Sequence, residues 1–238
     1  MKLFHVFAVL FIATMLAASV HAQDSSVPND ADAKLAQILN EGTKLAQGRK
    51  FREAIERFDS VIAAYEERFR DTEDRVRCAR WLGETLYYLL EAGKIEPKKK
   101  VIGLSQTWAD AYFMKAYILV HVGQFAQAKP ILEKAIALSP SNSLYLSELG
   151  GIFQREKNWP MALEAFQSAE RATEFSPAST KNFELAKAWR GVAYVFVEQK
   201  RLDEAETLYR KCLELDKNDA SAANELRYIE KVRAKSTN

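Results

Sequence analysis

The sequence predicts an all-α chain of about five stacked helix pairs closed by a C-terminal helix, and three observations predict it. Four stretches, FREAIERFDSVI, FAQAKPILEKAI, WPMALEAFQSAE and LDEAETLYRKCL, carry one pattern of bulky and small residues. Small-residue positions recur at a fixed interval, which is the same from Ala128 to Ala162 as from Ala116 to Gly150. Composition agrees, because Ala, Leu, Glu, Lys and Arg dominate and nine glycines and six prolines are few in 238 residues.

The pattern is one face of a helix. Phe51, Ala54, Phe58 and Val61 are spaced three, four and three, as are Phe125, Ala128, Leu132 and Ala135. Trp159, Ala162, Phe166 and Ala169 repeat the spacing, and so do Leu202, Ala205, Tyr209 and Cys212. The alanines belong where this helix crosses a neighbour closely, since a larger side chain would force the axes apart. A preceding helix brings its own small residues: Gly42 with Leu45, Ala116 with Leu119, Gly150 with Phe153, and Ala193 with Phe196.

Taken in order, the chain opens on MKLFHVFAVLFIATMLAASVHAQ, where Lys2 precedes an apolar run from Leu3 to Ala18 and then small residues. This is the layout of a secretory signal peptide, with Val20 and Ala22 placing cleavage after Ala22. A retained membrane anchor is the other reading, although the run is shorter than the roughly 20 residues that span a bilayer. Residues 23–30 read as a flexible tail. The helix pairs then fall near 31–68, 72–106, 109–140, 143–175 and 181–217, with a cap over 219–234.

Two departures from the period stand out. The step from Gly42 to Gly83 overshoots it by about two helical turns. With no glycine or proline between Phe51 and Leu82, the surplus is expected to lengthen helices from Arg49 to about Phe69 and from Asp71 onward. After WLGETLYYLL the chain reads EAGKIEPKKK, so the second helix of that pair is expected to be short, over Pro97 to Ser105. The step from Ala162 to Ala205 is also too long, and its surplus falls around TEFSPASTKNFEL, which reads as a loop and a fresh helix start at Pro177. The cap, NDASAANELRYIEKVRAKSTN, sets Ala222, Leu226 and Ile229 on one face, covering what would otherwise be an exposed apolar end.

On these residues the chain resembles the tetratricopeptide repeat family, whose helix pairs recur at the same interval. The closing proline of that motif is matched by Pro140, and the resemblance covers roughly residues 31–218. It implies a right-handed α-solenoid, and a peptide or protein bound in a groove lined by the first helix of each pair. Groove positions carried over from the family are Arg77, Arg80, Glu84, Tyr87 and Tyr88, then Asp110, Phe113, Tyr117, Val120 and His121. Further along they are Ser147, Gly151, Gln154 and Arg155, and finally Lys187, Arg190, Tyr194 and Val197. Tyrosine and arginine are the types that concentrate binding energy, which singles out Tyr88 and Tyr117. The plainer reading is that Tyr87, Phe113 and Tyr117 pack between helices. Arg80, Arg155, Lys187 and Arg190 suit an extended segment bearing carboxylates.

Charge and composition exclude other classes. Without the leader's single lysine, basic residues outnumber acidic ones by one, a balance that offers nucleic acid no basic face. The run Lys98 to Lys100 reads as a solvated loop. His121 is the one histidine beyond the leader, no glycine-rich phosphate loop occurs, and nothing pairs a nucleophile with a base, so neither catalysis nor a metal or cofactor is expected. Cys78 and Cys212 fall in the second and the last of the expected helix pairs. Distant repeats do not touch, and a disulfide needs Cα atoms within about 7 Å, so both read as small buried helix residues.

The functional expectation is an exported interaction scaffold or adaptor. The absence of an Asn-x-Ser/Thr sequon favours a bacterial periplasm over a eukaryotic secretory lumen. An immunity protein against a secreted effector is the alternative. An envelope hydrolase using Glu84 and His121 is the enzymatic one. Whether the irregular stretch is functional or decayed stays open.

Overall fold

Helix hairpins carry the repeat, and they close in one way. The computed structural model describes residues 30–95 and 100–236. The expected leader, nearly all of the tail, and Lys98 and Lys99 lie outside them. The chain divides into two units, residues up to Pro140 and from Ser141.

The first unit contains α1 (Asp30–Gln47), α2 (Phe51–Arg68), β1 (Arg75–Cys78), α3 (Leu82–Ile95), β2 (Val101–Leu104), α4 (Thr107–His121) and α5 (Phe125–Leu138). The second contains α6 (Ser143–Arg155), α7 (Trp159–Ala172), a 3₁₀ turn (Thr173–Phe175), α8 (Ala178–Glu198), α9 (Leu202–Leu215) and α10 (Ala220–Ser236). Among the described residues no helix is long and apolar enough to cross a membrane.

Four hairpins, α1–α2, α4–α5, α6–α7 and α8–α9, share a turn. One residue adopts left-handed backbone: Arg49 (φ 57°), Gly123 (φ 83°), Lys157 (φ 56°) and Lys200 (φ 63°). The next N–H then reaches back five residues, from Lys50 to Leu45 O at 2.9 Å, Gln124 to Leu119 O at 2.8 Å, Asn158 to Phe153 O at 2.9 Å and Arg201 to Phe196 O at 2.8 Å. These bonds satisfy carbonyls that a helix end leaves open and aim the chain into the next helix.

The repeated face packs as its spacing requires. Ala54, Phe58 and Val61 are buried, as are their counterparts in α5, α7 and α9, while the leading Phe51, Phe125, Trp159 and Leu202 are partly covered. The small residues of the partner helices are needed for close approach. A Cβ on Gly42 would stand 2.6 Å from Phe58 Cε1, and one on Gly150 2.8 Å from Phe166 Cδ1.

Within the first unit α2 packs on α1 and α4, and α4 on α5. Tyr65 and Phe69 stack on Trp108 at centroid distances of 5.4 and 5.7 Å. In the second unit α7 packs between α6 and α8, and α9 between α8 and α10. The cap α10 brings buried Ala222 and Ile229, with Leu226 beside them, onto the core that includes Tyr209 and Cys212.

The stretch expected as a second helix pair is instead strand, helix, strand. The helix expected from Asp71 onward forms only from Leu82, as α3, with β1 before it; of the short helix expected over Pro97 to Ser105, residues 101–104 are β2 and Pro97 to Lys99 lie outside the described residues. The strands pair in parallel, Arg75 with Val101, Val76 with Ile102, Arg77 with Gly103 and Cys78 with Leu104. Two parallel strands need a crossover, and α3 supplies it. The sequence cue is the β-branched content of RVRC and VIGL, too short to override a helical reading by pattern alone. Cys78 is therefore a strand residue; both it and Cys212 are buried free thiols.

The fresh helix start expected at Pro177 is present, but most of the surplus is not loop. It lengthens a helix: α8 begins directly after Pro177 and runs for 21 residues. Only the 3₁₀ turn and Ser176 separate α7 from Pro177.

Candidate partner-binding faces

In the first unit, the residues singled out in the irregular stretch turn inward. Glu84 is 0% and Tyr88 4% exposed. The Arg80 backbone N–H donates to Glu84 Oε2 at 2.7 Å, and its guanidinium Nε donates to the same oxygen at 3.2 Å. Tyr88 donates to Glu84 Oε1 at 2.9 Å. The Tyr88 hydroxyl is also 3.5 Å from Ser139 Oγ, which accepts from Gln106 Nε2 at 2.9 Å. This network ties the start of α3 to the segments before α4 and after α5. Arg80, Glu84 and Tyr88 are thus structural residues held largely from solvent, which corrects their placement in a groove.

Phe113 is 1% exposed and also belongs to the core. Tyr117 is half-buried, with its ring 6.0 Å from that of Phe113, and Tyr87 is half-buried at 5.8 Å from Tyr88. Arg77 Nη1 donates to the Ala137 carbonyl at 3.0 Å. His121 lies edge-on to Phe51 at 5.4 Å. Glu84 and His121, the hypothetical hydrolase pair, are each engaged in such packing. Among the described residues no cluster of three or more His, Cys, Asp or Glu could hold a metal ion.

A cleft of about 430 Å³ opens in this unit between α2, α4 and α5, lined by Asp59, Ile62, Glu66, Tyr112, Lys115 and Lys134 among others. Lys115 Nζ meets Asp59 Oδ1 at 2.5 Å, and Lys134 Nζ meets Glu66 Oε1 at 3.0 Å. Tyr112 also donates to Glu66. That bond, then Lys134, holds the Glu66 carboxyl below the usual range, while burial and Glu66 raise the Tyr112 hydroxyl. The cleft's two cations face its two anions. Projection onto first helices could not find it, because Asp59 and Glu66 sit on a second helix.

In the second unit the expected residues divide. Arg190 pairs with Asp219, whose side chain also accepts from the Ala222 N–H at 3.0 Å and so starts α10. That makes Arg190 a fastener of the cap. Lys187 on α8 meets Glu148 on α6 at 2.7 Å and stays a quarter exposed. Tyr194 tilts against Trp159 at 6.5 Å, with burial and the nearby Glu198 and Glu225 raising its hydroxyl pKa. Arg155 is exposed at the end of α6.

Gly151 separates from its neighbour Gly150. A Cβ on Gly150 would strike Phe166, whereas one on Gly151 would meet nothing within 4 Å. Glycine inside a helix costs roughly 0.5–1 kcal/mol relative to alanine. No side chain of the described chain accounts for that cost at Gly151. The α6 and α8 surfaces therefore present the exposed Arg155, the Lys187–Glu148 pair, an aromatic edge at Tyr194, and open space over Gly151.

Comparison with known proteins finds tetratricopeptide repeats in part of the chain. Models of the tetratricopeptide repeat match residues 109–142 and 140–218. The crystal structure of YrrB, a TPR protein with an unusual peptide-binding site, is similar over 92% of this chain and 90% of its own, at 14% identity and TM-score 0.50. MamA 41-end from Desulfovibrio magneticus RS-1 aligns over 89% of this chain and 95% of its own at 16% identity, TM-score 0.48. The first TPR of Spaghetti (RPAP3), solved with HSP90 peptide SRMEEVD, covers 55% of this chain and 97% of its own at 21% identity, TM-score 0.47. No curated protein sequence matches the chain.

Proposed function

From the premise that this is a tetratricopeptide-repeat protein over residues 109–218, we propose that it is a non-catalytic adaptor that binds an extended, acidic peptide segment of a partner protein along α6 and α8. The observation that carries this reading is Gly151. A helix-interior glycine with open space above it, between Arg155 on its own helix and Lys187 on the packed one, is a place where another backbone can approach closely. Arg155 and Lys187 supply donors for carboxylates, and Tyr194 a stacking edge. A peptide is also the ligand class of the site described for YrrB.

Export to the periplasm is part of the same proposal, resting on Lys2, the apolar run Leu3 to Ala18 and the small residues before Gln23. Mass spectrometry of the mature protein should find Gln23 as the first residue.

The binding face is tested by immobilising the protein and recovering partners from an envelope extract. Gly151→Leu fills the open space and replaces a poor helix former, so the fold should hold while recovery drops at least tenfold. Arg155→Ala combined with Lys187→Ala should weaken capture and its salt sensitivity together. Equal recovery by all variants, with unchanged circular dichroism, would sink the assignment.

A further inference from the structure

Helix α3 is built inside out. Its polar Glu84 and Tyr88 are buried, while Leu82, Leu86, Leu89 and Leu90 are 65%, 51%, 45% and 69% exposed. Trp81, just before the helix, is 43% exposed. The helix cannot roll to bury its leucines, because the roll would break the Glu84 hydrogen bonds to Arg80 and Tyr88 and bring a carboxylate out of its buried setting. The outward face is thus fixed by the same network that anchors α3.

We propose that this face is a two-fold homodimer interface in which α3 packs antiparallel on α3 of a second copy. Three features favour a second copy. Leu82, Leu86 and Leu89 are spaced four and three, the seam spacing with which two helices interlock. The face is apolar along these positions and therefore complementary to itself, which an isologous contact requires. Its area also suits a pair: four half-exposed or more exposed leucines with Trp81 present on the order of 500 Å² per copy, at the upper end for a monomer's largest apolar patch. Two such faces together remove on the order of 1,000 Å², the size at which a specific interface begins. One two-fold contact covers both faces and leaves neither to recruit a third chain.

This interface lies in the first unit and is independent of the peptide face on α6 and α8, so either reading can fail alone. The test is sedimentation of the purified full chain over a wide concentration range. A monomer–dimer equilibrium is expected, with Leu86→Glu plus Leu89→Glu raising the dissociation constant about 100-fold or more while the urea midpoint holds. Leu86 sits at the centre of the seam, so Leu86→Cys should cross-link to its own copy on oxidation; Met161→Cys, at an exposed apolar position on α7, should not. Both native thiols are buried and give no background. A protein that stays monomeric throughout overturns the proposal, as does a dimer indifferent to the glutamates. Flotation of a monomer with phosphatidylglycerol vesicles, lost in the double variant, would overturn it in favour of a lipid surface.

Discussion

A Cβ placed on Gly191 of α8 would stand 2.3 Å from Cδ1 of the Phe166 ring on α7. The ring also fills the space above Gly150 on α6, so one phenylalanine is wedged between two glycines on its two neighbouring helices. Neither neighbour can gain a methyl group without displacing the ring or a helix. Gly191→Ala should lower stability by about 1–3 kcal/mol, as overpacking does. Gly151→Ala should raise it by about 0.5–1 kcal/mol, since only the helix-propensity term remains. Urea midpoints of the two variants, moving in opposite directions, check both.

Glu84 is the carboxylate on which the start of α3 depends. Glu84→Gln leaves the largely buried Arg80 guanidinium without its counter-charge and should cost about 3–5 kcal/mol, the usual loss when one member of a buried pair is removed. Tyr88→Phe removes a single bond to that carboxylate and should cost about 1 kcal/mol. Thermal unfolding would rank the two. A Glu84→Gln protein as stable as wild type would contradict the anchoring role.

Three of the four hairpin turns place a side chain where glycine is preferred. Lys200 holds φ at 63°, the left-handed region that Gly123 adopts at the equivalent turn. Lys200→Gly should stabilise by about 1 kcal/mol and Gly123→Ala should destabilise by about the same, because the left-handed region penalises any Cβ. Differential scanning calorimetry on the pair would test the equivalence of the turns directly.

The two thiols give the pH dependence its sign. Burial pushes Cys78 and Cys212 from 9.0 up to about 12, so the fold keeps protons that the unfolded chain releases. The stabilisation from the neutral thiols is complete below pH 9 and declines as pH rises towards 12. Burial also raises Tyr65 and Tyr209, which adds to the decline above pH 10. Between pH 8 and 10.5 the unfolding free energy should fall by about 2 kcal/mol per thiol. A thiol reagent at pH 7.5 should label neither cysteine until urea is added.

The sequence by itself determined the hairpins and their interlocking faces. Spacings of three and four on Ala54, Ala128, Ala162 and Ala205 fix one face of each second helix, and all four alanines are fully buried there. Such local periodicity is legible because it repeats wherever the same packing recurs. Gly42 and Gly150 could be read in the same way, since each stands where a helix meets a phenylalanine of its partner.

Tertiary structure alone decided which way α3 faces. Its leucines and its Glu84–Tyr88 pair are both helical stripes, and periodicity cannot say which stripe meets the core. The choice came from Arg80, Gln106 and Ser139, residues from three separate segments that together satisfy a buried carboxylate and phenol. The strands β1 and β2 were hidden for the same reason. Such short strands gain their hydrogen bonds only from each other, and the whole of α3 lies between them in the chain. Likewise, the repeat interval put Gly150 in a packing slot and the family resemblance put Gly151 in the groove, but only the position of the Phe166 ring shows that one glycine is filled against and the other is open.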